Sequence, residues 1–229
     1  MPLLLQKAVP EDLDSLVRIQ YTAFHPTDPL HILIYPSPVP PTESIIQKTV
    51  SRTLNYWTSN PNLTWLKIVD STTDKIVAGA KWMFWDEADE ERWQESIVPT
   101  WILAEEKGKG NAGPGVEDKE YVAWVMGEVY RRRRERMNGR CALLDICFTD
   151  PEYHRRGAGR MLVEWGTRRA DELGVECFVE ASKVGRRLYE GCGFVEKEDV
   201  VLEGGRAREE WGKYGMVDYL WMERVVKQR

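Results

Sequence analysis

No apolar run in this chain approaches the ~18 residues of a membrane-spanning helix, and its formal net charge is only −5 over 229 residues. The first absence argues against a helical membrane protein. The second argues against general nucleic-acid affinity, which needs a strongly basic face. The opening Met1-Pro-Leu-Leu-Leu-Gln is too short and too poor in positive charge for a secretory leader. Cysteine is scarce, with only Cys141, Cys147, Cys177 and Cys192, and no C-x-x-C or nearby histidine pair accompanies them. That pattern suits buried thiols in the cell interior better than a disulfide framework or a zinc site. The expectation is a soluble protein of the cytoplasm, or of cytoplasm and nucleus, with no metal. G-x-x-x-x-G-K-[ST] is missing as well, which excludes P-loop nucleotide chemistry, and there is no internal repeat.

The composition supports a full core: 42% of residues are hydrophobic, with ten Trp and nine Tyr. The stretch around which the chain is organised is Cys141–Leu173. Residues 141–149 form an apolar run with a single acid, Asp145, which predicts a strand buried on both faces, and Asp150-Pro151 ends it. A helix then begins near Gly157, where Leu162, Trp165, Arg169 and Leu173 keep a 3.6-residue spacing, with Met161 and Ala170 beside them.

A strand, a short Arg/Gly turn and a helix together make a phosphate cradle, with a plain strand–helix turn whose arginines are solvated as the alternative on glycine spacing alone. Glycines at 157 and 159 let the main chain approach a ligand, and the first-turn N–H groups lack intrahelical partners. Arg155, Arg156 and Arg160 add charge-assisted donors. The turn lacks the first glycine of G-x-G-x-x-G, which excludes a dinucleotide fingerprint. A second glycine-rich run, Gly108–Gly115, follows no apolar strand and predicts a loop instead.

The turn resembles the acyl-CoA signature of the GNAT superfamily of N-acetyltransferases, [Q/R]-x-x-G-x-[G/A], here His154-Arg-Arg-Gly157-Ala158-Gly159 after Thr149-Asp-Pro151. His154 departs from the family's Gln or Arg, but it can still donate a hydrogen bond to a phosphate or a main-chain carbonyl. Downstream, Glu176-Cys-Phe-Val-Glu-Ala-Ser182 reads as a strand. Gly185-Arg-Arg-Leu-Tyr189-Glu-Gly-Cys-Gly193-Phe194 reads as a short helix ending in a glycine turn. This is similar to the family's closing Leu-Tyr-Glu…Gly-Phe phrase, with Ser182 at the polar position seven residues before Tyr189.

Taken in order, the chain predicts a strand at Leu3–Ala8 and a helix over Pro10–Phe24 with inner stripe Leu13, Leu16, Val17, Gln20 and Phe24. Residues 25–41 hold six prolines and predict a long irregular loop. A helix over Thr42–Trp57 and a hairpin of Leu63–Val69 with Lys75–Phe84 follow. Residues 85–140 go beyond a minimal family member. Asp86–Glu120 carries eleven acidic residues against four basic, and a helix from about Asp118 to Met137 ends in the run Arg131–Arg136. That run is read as helix C-terminal charge, with an RNA patch as its alternative. Strands at Val195–Leu202 and Met216–Val225 flank a charged loop, 203–214. The expected architecture is a single α/β domain over 1–229 with an insertion at about 85–140. Its sheet is mixed and mostly antiparallel, flanked by helices.

The resemblance implies two central parallel strands that splay apart to hold acetyl-CoA. Main-chain groups of Ile146, Cys147, Phe148 and Thr149 would meet the pantetheine arm, residues 154–160 the pyrophosphate, and Ser182 and Tyr189 the thioester end. No metal is implied. An amine acceptor, a small cationic one or a peptide amine, then attacks the acetyl carbonyl directly. A primary amine with pKa near about 10.4 must lose a proton, at a cost of about 4.6 kcal/mol at neutral pH. Asp145 and Glu180 are candidate bases, each interrupting an apolar strand, and desolvation would raise their pKa values. Tyr189 stands where the family keeps the general acid for the departing thiolate. The acidic 86–120 segment motivates a cationic acceptor. A non-catalytic acyl-CoA-binding module, suggested by His154, is the alternative. A monomer or homodimer is expected, with no nucleic acid and no membrane as partner.

Overall fold

The computed structural model describes residues 2–25, 27–89, 92 and 116–226. Most of the acidic segment and the whole Gly108–Gly115 run therefore lie outside the described residues. The chain opens with β1 (Leu3–Lys7) and, after a 3₁₀ turn at Pro10–Asp12, α1 (Leu13–Phe24). The helix buries Leu13, Leu16, Val17 and Gln20, as its spacing predicted, whereas Phe24 of the same predicted stripe is only half-buried.

The segment 25–41 is not wholly irregular, because α2 (Pro29–Ile34) lies inside it. The Asp28 carboxylate accepts from the His31 N–H at 2.8 Å and Pro29 takes the first turn, so a cap and a favourable proline start a helix there. The charged stretch 203–214 is ordered too, as α7 (Gly204–Ala207) and a 3₁₀ turn at Glu209–Tyr214. Buried Trp211, edge-on to Tyr121 at 5.7 Å, holds it down.

Between these come α3 (Glu43–Ser59), β2 (Leu63–Asp70), β3 (Lys75–Trp85), α4 (Val116–Arg136), β4 (Cys141–Thr149), α5 (Ala158–Leu173), β5 (Glu176–Ala181), α6 (Arg186–Gly191), β6 (Val195–Glu203) and β7 (Met216–Arg224). The seven strands form one sheet in the order β1-β2-β3-β4-β5-β7-β6. Every neighbouring pair is antiparallel except β4 and β5, which run parallel. This is the mixed, mostly antiparallel sheet that was expected.

Alternation along the strands divides the core between two faces. Ala142 and Leu144 of β4, with Trp82, Cys177 and Val179, pack against Leu162, Val163 and Ala170 of α5. Leu144, Val179, Leu162 and Val163 each contribute about 1.5–3 kcal/mol by leaving water. Gly166 lets α5 seat directly on the Trp82 ring, whose indole N–H donates to the Leu162 carbonyl at 3.2 Å. On the other face, Leu143, Phe178 and Trp221 meet Tyr121, Val125 and Val129 of α4, while Phe148 and Trp65 meet Leu13, Leu16 and Ile19 of α1.

The arginine run is used inside the molecule. Arg132 pairs with Glu128 and Glu198, Arg133 with Asp145 and Glu180, and Arg136 with Glu198 and Glu223, so one side of the last turns of α4 binds acids presented by the sheet. Arg131 pairs with Glu128 and Glu135 along the helix.

Candidate active site

The site is built where the sheet comes apart. β4 and β5 are paired from Cys141↔Glu176 to Leu144↔Val179 and no further, although β4 continues to Thr149. The register between β3 and β4 shifts at the same place. Lys81 lies opposite Ile146 and Trp82 opposite Leu144, which leaves Asp145 as an extra residue in a β-bulge. Bulges bend a strand, and this one turns β4 away from β5 immediately after their last paired residues. Beyond it, alternate residues of Ile146–Thr149 bond to β3, and the others direct their N–H and C=O groups toward the opened side.

A cavity of about 570 Å³ passes through the gap. Ser182 and Tyr189 line one end, Asp145, Ile146, Cys147, Val179 and Glu180 its middle, and side chains of α1, α2, α3 and α4 its far end. The far end is aromatic, with Phe24, Tyr35, Tyr56, Trp85 and Tyr130. His31 stacks between Phe24 and Tyr35 at 4.9 and 4.7 Å, and burial pulls its pKa down to about 3, so the imidazole is neutral. Among the described residues, four acids line the cavity, Asp28, Asp89, Asp145 and Glu180, against four cations, Arg52, Lys81, Arg92 and Arg133.

Asp145 and Glu180 are together at the fork, but both are paired. Asp145 meets the Lys81 ammonium at 2.6 Å and Arg133 at 3.3 Å, and Glu180 receives Arg133 through two bonds of 2.7 and 2.8 Å. The expectation that burial would raise Asp145 to a useful base is not met. Burial does push its pKa up, but Lys81 and Arg133 together outweigh it and hold the carboxyl below its ordinary value.

Tyr189 is buried at the donor end, and among the described residues none hydrogen-bonds its hydroxyl. Burial, with Cys147 and Cys192 nearby, drives its pKa well above the usual phenol value, so the group stays protonated. Ser182 lines the cavity, and its hydroxyl accepts from the Gly185 N–H at 3.3 Å, supporting the short helix that carries Tyr189. The Cys147 thiol is pushed up to about 12 by burial, and all four cysteines are free.

The turn before α5 is pinned from both sides. Asp150 accepts from the Glu152 N–H and binds Lys75 at 2.9 Å, and the Tyr153 hydroxyl donates to Asp70 at 3.2 Å. His154 Nε2 donates to the Thr149 carbonyl at 3.1 Å, closing the turn in the way its departure from the motif allowed. Gly157 begins the helix at φ +92°, no side chain caps this end, and a β-carbon there would project into open space. Gly159 has a different reason, since a β-carbon on it would come within 3.1 Å of Leu188. Arg155 and Arg156 are exposed beside the turn, Arg156 over the Tyr153 ring at 4.6 Å, whereas Arg160 is paired with Glu164 at 2.7 Å. Ala158 is buried in the core beneath.

Acetyl-CoA fits these residues: among the described residues the helix start is open and uncapped beside two exposed arginines, the strand edge has no ladder partner, and the phenol inside the gap has no hydrogen-bond partner. Residues 80–194 match the Acetyltransferase (GNAT) family, so the chain belongs to it and is an acetyl-CoA-dependent N-acetyltransferase. Its fold is shared with solved acetyltransferases of low sequence identity. A histone acetyltransferase HPA2-related protein from Corynebacterium glutamicum is 17% identical, covers 100% of this chain and 99% of its own, and superposes with a TM-score of 0.62. Arylalkylamine N-acetyltransferase 2 from Aedes aegypti is 11% identical over 99% of this chain and 100% of its own, at 0.66. The Drosophila melanogaster polyamine N-acetyltransferase is 14% identical over 97% and 98%, at 0.62. No curated protein matches the chain in sequence.

Most of the lining escaped the sequence reading, Lys81, Arg133, Tyr56 and His31 among it. Lys81 did carry a signal, because it interrupts an apolar strand as Asp145 and Glu180 do.

Proposed function

We propose that this protein transfers the acetyl group of acetyl-CoA directly to an amine held with it in a ternary complex. The acceptor is a small amine with an aromatic or apolar body. The observation that carries this reading is the single cavity running through the sheet, with Tyr189 at one end and an aromatic chamber at the other. Two substrates entering from opposite faces meet at the fork with no need for a covalent enzyme intermediate.

In this reading the coenzyme supplies an activated thioester carbonyl. Gly157, the uncapped helix start, Arg155 and Arg156 bind its diphosphate, and the free edge of Ile146–Thr149 orients its arm. Tyr189 donates its proton to the departing thiolate. Asp145 and Glu180, held as ion pairs, shape the fork, so proton removal from the amine falls to water in the chamber or to the amine's own desolvation.

A chamber of about 570 Å³ whose described lining carries as many cations as acids supports a small acceptor over an extended basic peptide. Among similar structures, one acts on arylalkylamines and one on polyamines, and the aromatic lining favours the former kind. The test is a panel of arylalkylamines, polyamines and lysyl peptides, read by release of the coenzyme's thiol. Arylalkylamines are expected to give the highest kcat/KM. Faster turnover of lysyl peptides would defeat the acceptor assignment, and acceptor-independent release alone would mark a non-catalytic binder.

A further inference from the structure

Where the β4–β5 ladder stops, the next residue on each strand carries a carboxylate to the same face: Asp145 after Leu144 and Glu180 after Val179. The Arg133 guanidinium of α4 lies between them. Its Nε and Nη2 donate to the two oxygens of Glu180 at 2.7 and 2.8 Å, and Nη2 also reaches Asp145 at 3.3 Å. Lys81 extends the chain of charges to β3 through Asp145 at 2.6 Å. The two strands, no longer joined by main-chain hydrogen bonds, are joined by one side chain.

We propose that Arg133 is a positioning residue for acetyl transfer, fixing the separation of β4 and β5 at the point where donor and acceptor meet. Stability alone is a poor reason for this arrangement. The Arg133 and Glu180 side chains are 9% and 7% exposed, and a buried ion pair of this kind gives little net stability over apolar residues of similar volume. Geometry is a better one. A guanidinium is a rigid planar fork that grips a carboxylate at two points and a second acid at its edge, so it sets a distance as well as a charge. A strand pair held by its own ladder could not open here, and one held by nothing would leave the gap width undefined. The clamp comes from α4, a helix outside the two strands it joins.

The inference rests on the acetyl-transfer reading, so the test separates the two. Arg133→Met and Glu180→Gln would be compared with the natural protein for kcat, KM for acetyl-CoA, and calorimetric affinity for coenzyme A. Both variants are expected to lose about tenfold or more in kcat, since small misplacements of reacting groups are costly. Coenzyme A affinity is expected to change little, because the turn at 157–160 is untouched, and Arg133→Lys should recover part of the loss. Either folded variant turning over at the natural rate overturns the inference, as does a loss of coenzyme affinity in proportion to kcat. If the natural protein binds no coenzyme A, the acetyl-transfer reading itself fails.

Discussion

The Lys81 ammonium lies 2.6 Å from the Asp145 carboxylate, in the bulge that parts β4 from β5. With Arg133 on its other oxygen, Asp145 is a structural anion whose folded pKa lies below its ordinary 3.8, despite the upward push of burial. A depressed carboxylate stabilises the fold fully above its unfolded pKa, and that contribution is lost as pH falls through the lower folded value. Asp145→Asn should therefore cost about 3 kcal/mol at pH 7 by leaving two cations short of a partner. That corresponds to a drop of about 6–12 °C in Tm for a chain of this size. Melting curves from pH 7 down to about pH 3 check it: the gap between variant and natural protein should narrow toward acid, and a gap independent of pH would contradict the ion-pair account.

Tyr189→Phe removes one oxygen from a buried ring whose hydroxyl has no hydrogen-bond partner among the described residues. Folding loses little by it, because no internal bond is broken. Turnover should fall at least about tenfold, and by about 10²–10⁴-fold if Tyr189 supplies the full effect of a general acid. Coenzyme A affinity, measured by calorimetry, should be unchanged. An undiminished kcat would remove Tyr189 from the proton transfer.

Gly166→Ala tests the packing of α5 on the sheet. A β-carbon there would overlap the fully buried Trp82 indole, which is fixed by its own hydrogen bond to Leu162 and stacked on Phe84 at 5.7 Å. The ring cannot yield without moving α5, so a loss of about 3 kcal/mol is expected, at the upper end of overpacking costs. Thermal unfolding reads it directly, and a Tm within about 2 °C of the natural protein would show that the helix can shift freely.

The central strand β4 was legible in the sequence because it is a block of apolar residues bounded by turn chemistry, and it is found over the residues expected, Cys141–Thr149. The turn before α5 was legible because glycine at a left-handed position, Gly157, leaves a mark in the sequence. What pairing does to a charge left none. Asp145 and Glu180 looked like bases because their partners come from β3 and from a helix 12 and 47 residues before them. The same blindness made Arg131–Arg136 look like no more than helix C-terminal charge. Its spacing matches the acids of the sheet only once β5, β6 and β7 lie side by side. α2 was hidden behind the prolines around it, one of which helps to start it.

Gly157 and Gly159 differ in what a methyl group would meet, and so they separate ligand contact from packing. At Gly157 the backbone is left-handed, where an alanine costs about 1–2 kcal/mol, and its β-carbon would point into the open space in front of the helix start. At Gly159 the backbone is ordinary, and the β-carbon would press on Leu188 at 3.1 Å, behind the turn. Gly157→Ala should therefore weaken coenzyme A binding about tenfold or more, one lost or lengthened charge-assisted bond being worth about 1.5–3 kcal/mol. Gly159→Ala should cost mainly stability, up to about 1.5 kcal/mol, because a leucine end can shift by a few tenths of an ångström. Calorimetric titration with coenzyme A, set beside the melting temperature of each variant, distinguishes the two. Equal losses of affinity would mean that the diphosphate does not lie over Gly157, and the helix start would then have to be anchored to the ligand by Arg155 and Arg156 alone.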